Sequence, residues 1–187
     1  MKGMNMKYVY AFEEGDGKNK TLLGGKGANL CEMTQFGLNV PPGFVISTEA
    51  CLAYLEGDQT ALPGGIMDEV RKQMKAVEEK TGKGFGDPEN PLLVSVRSGS
   101  ALSMPGMMDT ILNLGLNDET LKGEIAQTGD ARFAYDAWRR FIQLFGKVAM
   151  NVPDELFDDE FDNVKEQAHV TEDVGLSADN LKEISER

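Results

Sequence analysis

The sequence predicts an α+β chain, and three observations carry that prediction. Short apolar segments of period two alternate with helical stripes up to about residue 116, no strand pattern follows Asn117, and a long helical stripe of apolar residues starts near Asp130. The expected organisation is an α/β lobe over residues 1–116 and a helical lobe over residues 117–187. An apolar share of 41% and a charged share of 27% over 187 residues suit a soluble globular protein of that size.

Each element has its own signal. Residues 7–12 (KYVYAF) alternate aromatic with small or branched residues and read as a first strand. A polar turn over residues 13–20 leads into LLGGKG, then a helical pattern through Ala28, Leu30, Cys31 and Met33 that stops at Gly37. Residues 40–43 (VPPG) are a rigid turn and residues 44–46 (FVI) a short strand. Ser47 and Thr48 can cap a helix starting at Glu49, whose carboxylate favours the positive first turn. A Gly/Pro connector over residues 57–65 precedes a helix with Ile66, Val70, Met74 and Val77 on one stripe. After a loop over residues 81–91, period two puts Leu92, Val94 and Val96 on one face of a strand and Arg97 on the other. Residues 98–109 (SGSALSMPGMMD) are a loop, and residues 110–116 a strand. Asp130 starts the helix of Phe133, Trp138, Phe141 and Phe145, which stops before Pro153. Leu156, Phe161, Val164 and Ala168 mark another helix, and Ser177 caps a last one that reaches Arg187 without a stop signal, so the chain is expected to be cut inside an element.

Charge narrows the function. Thirty-one acids against nineteen bases leave a net −12, which argues against a protein built to grip nucleic acid or an anionic membrane. Residues 154–187 hold twelve of those acids and three bases, so the tail carries most of the excess. Cys31, Cys51 and the single His169 cannot form a structural zinc cage, and two free thiols suit a reducing cytosol. No signal or transit peptide is read at residues 1–10, and no apolar run approaches membrane-helix length. A soluble, cytoplasmic protein is expected.

The glycine cluster around Lys26 is the first candidate for chemistry. Glycines let backbone approach an anion, a following helix offers free N–H groups, and a lysine adds a point charge suited to phosphate. The segment is not a Walker A loop: Lys20 stands at the first glycine and Gly27 at the Ser/Thr position. A plain strand-to-helix turn with a surface lysine fits equally well. Arg97, closing an apolar strand, needs either a carboxylate partner or an anionic ligand. The small residues and methionines of 98–109 read as a mobile lid or as an ordinary loop, and Thr110 as a phosphate-facing hydroxyl or a mere strand start. His169 has no nucleophile-like context and reads as solvent-facing. The six carboxylates of residues 154–162 lack EF-hand spacing and read as a solvated helix face, while Arg139 and Arg140 read as surface charges or inter-lobe ion pairs.

Together these segments carry a resemblance. KYVY and FEEG within residues 7–15, LLGGKGANL at 22–30, PPGF at 41–44, LVSVRS at 93–98, SMPGMMDTILNLGLN at 103–117 and RFAYD at 132–136 follow in order. This closely resembles the amino-terminal, ATP-binding region of the pyruvate, phosphate dikinase family, with residues 103–117 as its most specific part. Related phosphoenolpyruvate synthases share the glycine–lysine and arginine–serine segments but differ between that arginine and the threonine. A fragment of such a synthase is therefore the enzymatic alternative. A stand-alone module binding nucleotide or a partner without catalysis is the other.

The resemblance implies the N-terminal part of an ATP-grasp nucleotide-binding domain with a helical insertion, truncated here. It assigns Lys26 and Arg97 to ATP phosphates, with Gly24, Gly25, Gly27 and Thr110 beside them, and a lid containing Ser98, Met104, Gly106 and Asp109. It implies ATP and AMP as ligands, Mg²⁺ held by residues outside this chain, and a homodimer for the whole enzyme. That enzyme interconverts ATP, phosphate and pyruvate with AMP, pyrophosphate and phosphoenolpyruvate through a phosphohistidine on a swivelling domain. The sequence holds no Thr-Ser-His segment, so no catalytic residue and no metal ligand is expected here, and these residues alone are expected to be inactive in the overall reaction.

Overall fold

Helix and strand are mixed as the α+β reading expects. The computed structural model describes residues 6–57, 59–99 and 109–187. In order the elements are β1 (Val9–Ala11), α1 (Lys20–Gln35), β2 (Phe44–Ile46), α2 (Thr48–Glu56), α3 (Ile66–Thr81), β3 (Val94–Arg97), β4 (Thr110–Leu114), α4 (Asp118–Thr128), α5 (Ala131–Met150), α6 (Asp154–Gln167) and α7 (Ala178–Glu186). The described residues group into two units, residues 6–82 with 98–99, and Lys83–Arg97 with Asp109–Arg187. The β3–β4 pair thus groups with the helices that follow it.

In the first unit β1 and β2 pair antiparallel, Val9 opposite Ile46 and Ala11 opposite Phe44. The first strand is shorter than its alternating sequence suggests because its leading end is held by a helix. The Tyr8 and Val9 N–H groups donate to the Glu69 carboxylate of α3 at 2.9 and 2.8 Å. Phe12, Leu23, Ala28 and Cys31 form one core cluster and Val9, Ala50 and Ile66 another. Gln35 closes the β1–α1 loop, its side-chain amide donating to the Phe12, Glu13 and Gly15 carbonyls. Lys80 donates to Glu13 at 2.6 Å and holds that carboxyl below its usual range. Both side chains are half exposed, so the pair contributes at most about 1 kcal/mol.

In the second unit β3 and β4 pair antiparallel, and α5 lies against β4. Residues 110–116, expected as one strand, stop pairing at Leu114, where Gly115 takes a positive φ of 119°; Asn113, with φ 59°, lies within the paired strand. The Leu116 N–H then turns back to the Asn113 carbonyl at 3.2 Å. Helix α4 starts in a capping box. The Asn117 side chain accepts the Thr120 N–H, and the buried Thr120 hydroxyl accepts the Asn117 N–H and donates to the Gly115 carbonyl. Asp130 caps α5 by accepting the Phe133 N–H at 2.9 Å. Leu116, Leu121, Ala134 and Phe141 build one core, and Val164, Leu176 and Leu181 the other.

Arg139 and Arg140 both pair with Asp136 of their own helix, at 2.8 and 2.9 Å. Arg139 is 13% exposed and lies 4.4 Å from the Phe161 ring centre. His169 is exposed just past α6, and the acidic run is the outer face of that helix. Its first member, Asp154, accepts from Lys147 and Gln143, which hold its carboxyl below the usual range. Among the described residues no helix is long and apolar enough to cross a membrane.

Candidate functional site

The glycine cluster does not form a loop; it breaks a helix. Within α1 Gly24 has φ 68° and ψ 163°, a conformation open essentially to glycine alone. Residues before it form one helical turn, capped by Asn19, whose side chain accepts the Leu22 N–H at 3.0 Å. Residues after it begin a new helical segment, so Gly25, Lys26 and Gly27 occupy a first turn whose N–H groups have no carbonyl four residues back in the same segment. Lys26 is exposed, and its ammonium donates to the Ser98 carbonyl at 3.3 Å. Gly27 is buried under Val45: a Cβ there would lie 2.8 Å from a Val45 methyl. The glycine pair thus divides its labour. Gly24 supplies a backbone angle, while Gly27 lets the segment seat on β2.

Thr48 completes the break. Its hydroxyl lies within donating distance of the Thr21 carbonyl at 2.6 Å and the Leu22 carbonyl at 3.2 Å. Both carbonyls belong to the turn before Gly24, where the helical ladder is interrupted. Thr48→Val is expected to destabilise the first unit by about 1–2 kcal/mol, the cost of leaving such acceptors unpaired. Thr48→Ser should recover most of it. Thermal melting of the two variants checks this, and equal melting would show that the hydroxyl does nothing for the break.

Arg97 and Thr110 stand directly opposite each other in the β3–β4 pair, so their side chains leave the same face. Ile111 and Leu114 turn to the other face and pack into the core of α4 and α5. Arg97 is exposed, and among the described residues its guanidinium has no ion-pair or hydrogen-bond partner. Among the described residues no carboxylate meets it, and an exposed guanidinium pays no desolvation that would require one. Ser98 and Asp109 are exposed, whereas Met104 and Gly106 of the expected lid lie outside the described residues.

Two features of these sites have little local signal in the sequence. Thr48 was visible only as a possible cap, and nothing local indicates that its hydroxyl reaches α1. Asn113 had a signal, since asparagine is among the few residues that tolerate a left-handed backbone. Cys31 is buried in the core with Phe12, Leu23 and Ala28, and burial pushes its thiol up, away from a reactive thiolate. Among the described residues no three His, Cys, Asp or Glu side chains come together as a metal site.

The family model for the pyruvate phosphate dikinase AMP/ATP-binding domain matches residues 20–66, which include the Gly24 break, Lys26, β2 and Thr48. Over 181 residues, 97% of its length, the chain is 57% identical to a pyruvate, phosphate dikinase of Entamoeba histolytica, covering 20% of that protein. It is 51% identical over 181 residues to the Clostridium symbiosum enzyme of the same name, covering 21% of it. Pyruvate, phosphate dikinase 2 of Zea mays is 53% identical over 186 residues, again with 21% covered. The chain spans about a fifth of the length of these curated relatives. Over that fifth the chain matches the N-terminal ATP-binding domain of pyruvate, phosphate dikinase.

Proposed function

We propose that this chain is the phosphate-binding portion of an ATP-grasp domain in a complete pyruvate, phosphate dikinase. The observation that carries the reading is Gly24: a glycine-only backbone angle immediately before a lysine-bearing first turn, inside the segment that the AMP/ATP-binding family model matches. In this reading residues 1–116 are the first α/β lobe and residues 117–187 the helical subdomain. Gly24, Gly25 and Gly27 bring first-turn N–H groups to a phosphate, and Lys26 adds a point charge. Arg97 supplies a planar fork of donors, Thr110 a hydroxyl beside it, and Ser98, Met104, Gly106 and Asp109 belong to the lid.

Phosphoryl transfer asks mainly for positioning and for cations where charge builds up on the phosphate oxygens. That is the contribution assigned to Lys26 and Arg97. Mg²⁺ ligands are assigned to the remaining part of the longer protein, as the resemblance implies. The remaining part also supplies the swivelling phosphohistidine domain, the pyruvate site and the homodimer contact. The reaction assigned to the whole is ATP, phosphate and pyruvate to AMP, pyrophosphate and phosphoenolpyruvate, in the cytoplasm.

The test is calorimetric titration of ATP into the full-length protein, wild type against Lys26→Ala. Loss of one charged phosphate contact is expected to weaken binding by about tenfold to a hundredfold, the 1.5–3 kcal/mol of a charge-assisted hydrogen bond. Unchanged affinity would remove Lys26 from the site.

A further inference from the structure

We infer that Asn113 is a positioning residue for this site: its left-handed backbone makes a bulge in β4 that sets Thr110 on the face of Arg97. The inference rests on the phosphate-contacting roles proposed above for Arg97 and Thr110, and it adds the residue that brings those two side chains together.

The register carries the argument. At one end of the β3–β4 pair Val94 stands opposite Leu114, and at the other Arg97 stands opposite Thr110. β4 uses one residue more than β3 between these two pairs, so the ladder shifts between Val94 and Val96, where Asn113 has φ 59°. Two residues, Leu112 and Asn113, therefore face the single Ser95. Side chains alternate strictly along a regular strand, so a ladder continued without the bulge from Val94 and Leu114 would put Ile111 opposite Arg97. Thr110 would then turn to the face of Leu114, toward the core of Leu116, Leu121 and Phe141, and Ile111 would turn out to solvent. The bulge allows the core to keep both Ile111 and Leu114 while Thr110 stays beside the guanidinium.

Asparagine suits this position through its backbone. Its side chain has no hydrogen-bond partner among the described residues, so no side-chain hydrogen bond among them explains the residue type. The left-handed angle does, since a β-branched residue is strongly disfavoured there and glycine is free to adopt it. The Asn113 carbonyl accepts the Leu116 N–H, which fixes the turn that follows.

The experiment uses the full-length protein with Asn113→Gly, Asn113→Ala and Asn113→Val, each alone and combined with Thr110→Val. The readouts are the initial rate of ATP-dependent histidine labelling and a melting curve. Asn113→Gly is expected within twofold of wild type and Asn113→Val at least tenfold slower. In the Thr110→Val background Asn113→Val should change the rate by less than twofold, because the side chain it would misplace is already gone. Wild-type labelling by Asn113→Val overturns the inference, and so does a loss that persists undiminished in the Thr110→Val background, which would mark a merely structural role. If Asn113→Val does not fold, the alanine variant decides: it should label more slowly than glycine, and equal rates overturn the proposal. Near-normal labelling by both Arg97→Ala and Thr110→Val would sink the phosphate reading itself and this inference with it. Slow Thr110→Val beside normal Asn113→Val would sink the inference alone.

Discussion

Arg97→Ala in the full-length protein is expected to slow ATP-dependent labelling of the phosphate-carrying histidine by about 10²–10³-fold, the size of one lost charge-stabilising donor. The fold should be nearly indifferent to the change. Arg97 is exposed at the end of β3 and supports no ion pair among the described residues, so its truncation should cost no more than about 0.5 kcal/mol of stability. This separation between activity and stability is what distinguishes a ligand-facing arginine from a structural one. Arg97→Lys should fall between the two, because an ammonium keeps the charge but loses the planar fork that engages two oxygens. Labelling from radiolabelled ATP, paired with a melting curve, checks all three proteins. An alanine variant that labels at the wild-type rate would mean that the Arg97 and Thr110 face of the β3–β4 pair does not meet the phosphates.

Gly123→Ala should destabilise the second unit by about 2 kcal/mol or more, against the ordinary sign for this substitution in a helix. Alanine normally gains about 1 kcal/mol over glycine at a helix interior. At position 123 its methyl would sit 2.1 Å from the Pro88 carbonyl oxygen and 3.0 Å from the Pro88 carbonyl carbon. These are backbone atoms that cannot rotate away, unlike the tip of a flexible side chain. The loop carrying Pro88 is also tied to the same helix, since the Gln127 amide donates to the Glu89 carbonyl at 2.8 Å and to the Asn90 side chain at 3.1 Å. Relief therefore requires α4 to lift from this loop, and forced overpacking of this kind costs about 1–3 kcal/mol or more beyond the propensity gain. Hydrogen exchange of the α4 amides in the full-length protein measures the loss locally, and about 30-fold faster exchange corresponds to 2 kcal/mol. Slower exchange, the usual result of glycine to alanine in a helix, would show that the helix does not approach Pro88 so closely.

Much of the fold was legible because its signals are local. Ser47, Asp130 and Ser177 each announce a helix start, and each side chain does accept an N–H of the first turn. The stripe from Phe133 to Ala149 could be assigned to a helix because only one face of that period can be apolar. Phe44–Ile46 was identified as a strand to the residue, between a proline turn and a cap. Lys26 and Arg97 were singled out by residue type and setting, and the resemblance to a nucleotide-binding family was carried by contiguous motifs of the same local kind. These are properties a sequence holds within a few neighbouring residues.

What remained hidden depends on residues far apart in the chain. The glycine cluster could have been a loop or a helix break, and the choice lies with Thr48, 27 residues from the Thr21 carbonyl it meets, and with Val45, which fills the space a Cβ on Gly27 would take. The first strand was shortened by Glu69, 60 residues from Val9. Arg97 and Thr110 could be named separately, but whether they share a face is set by one extra residue in β4, and a one-residue change of register reverses every side chain beyond it. The sequence by itself determined which segments are helices and strands, where they start, and which cations are available to a phosphate. Tertiary structure alone decided how glycine is used at Gly24, Gly27 and Gly123, and which way Thr110 points. The physical reason is that capping and periodicity are satisfied within one turn, whereas close backbone approach and strand register exist only once distant segments have met.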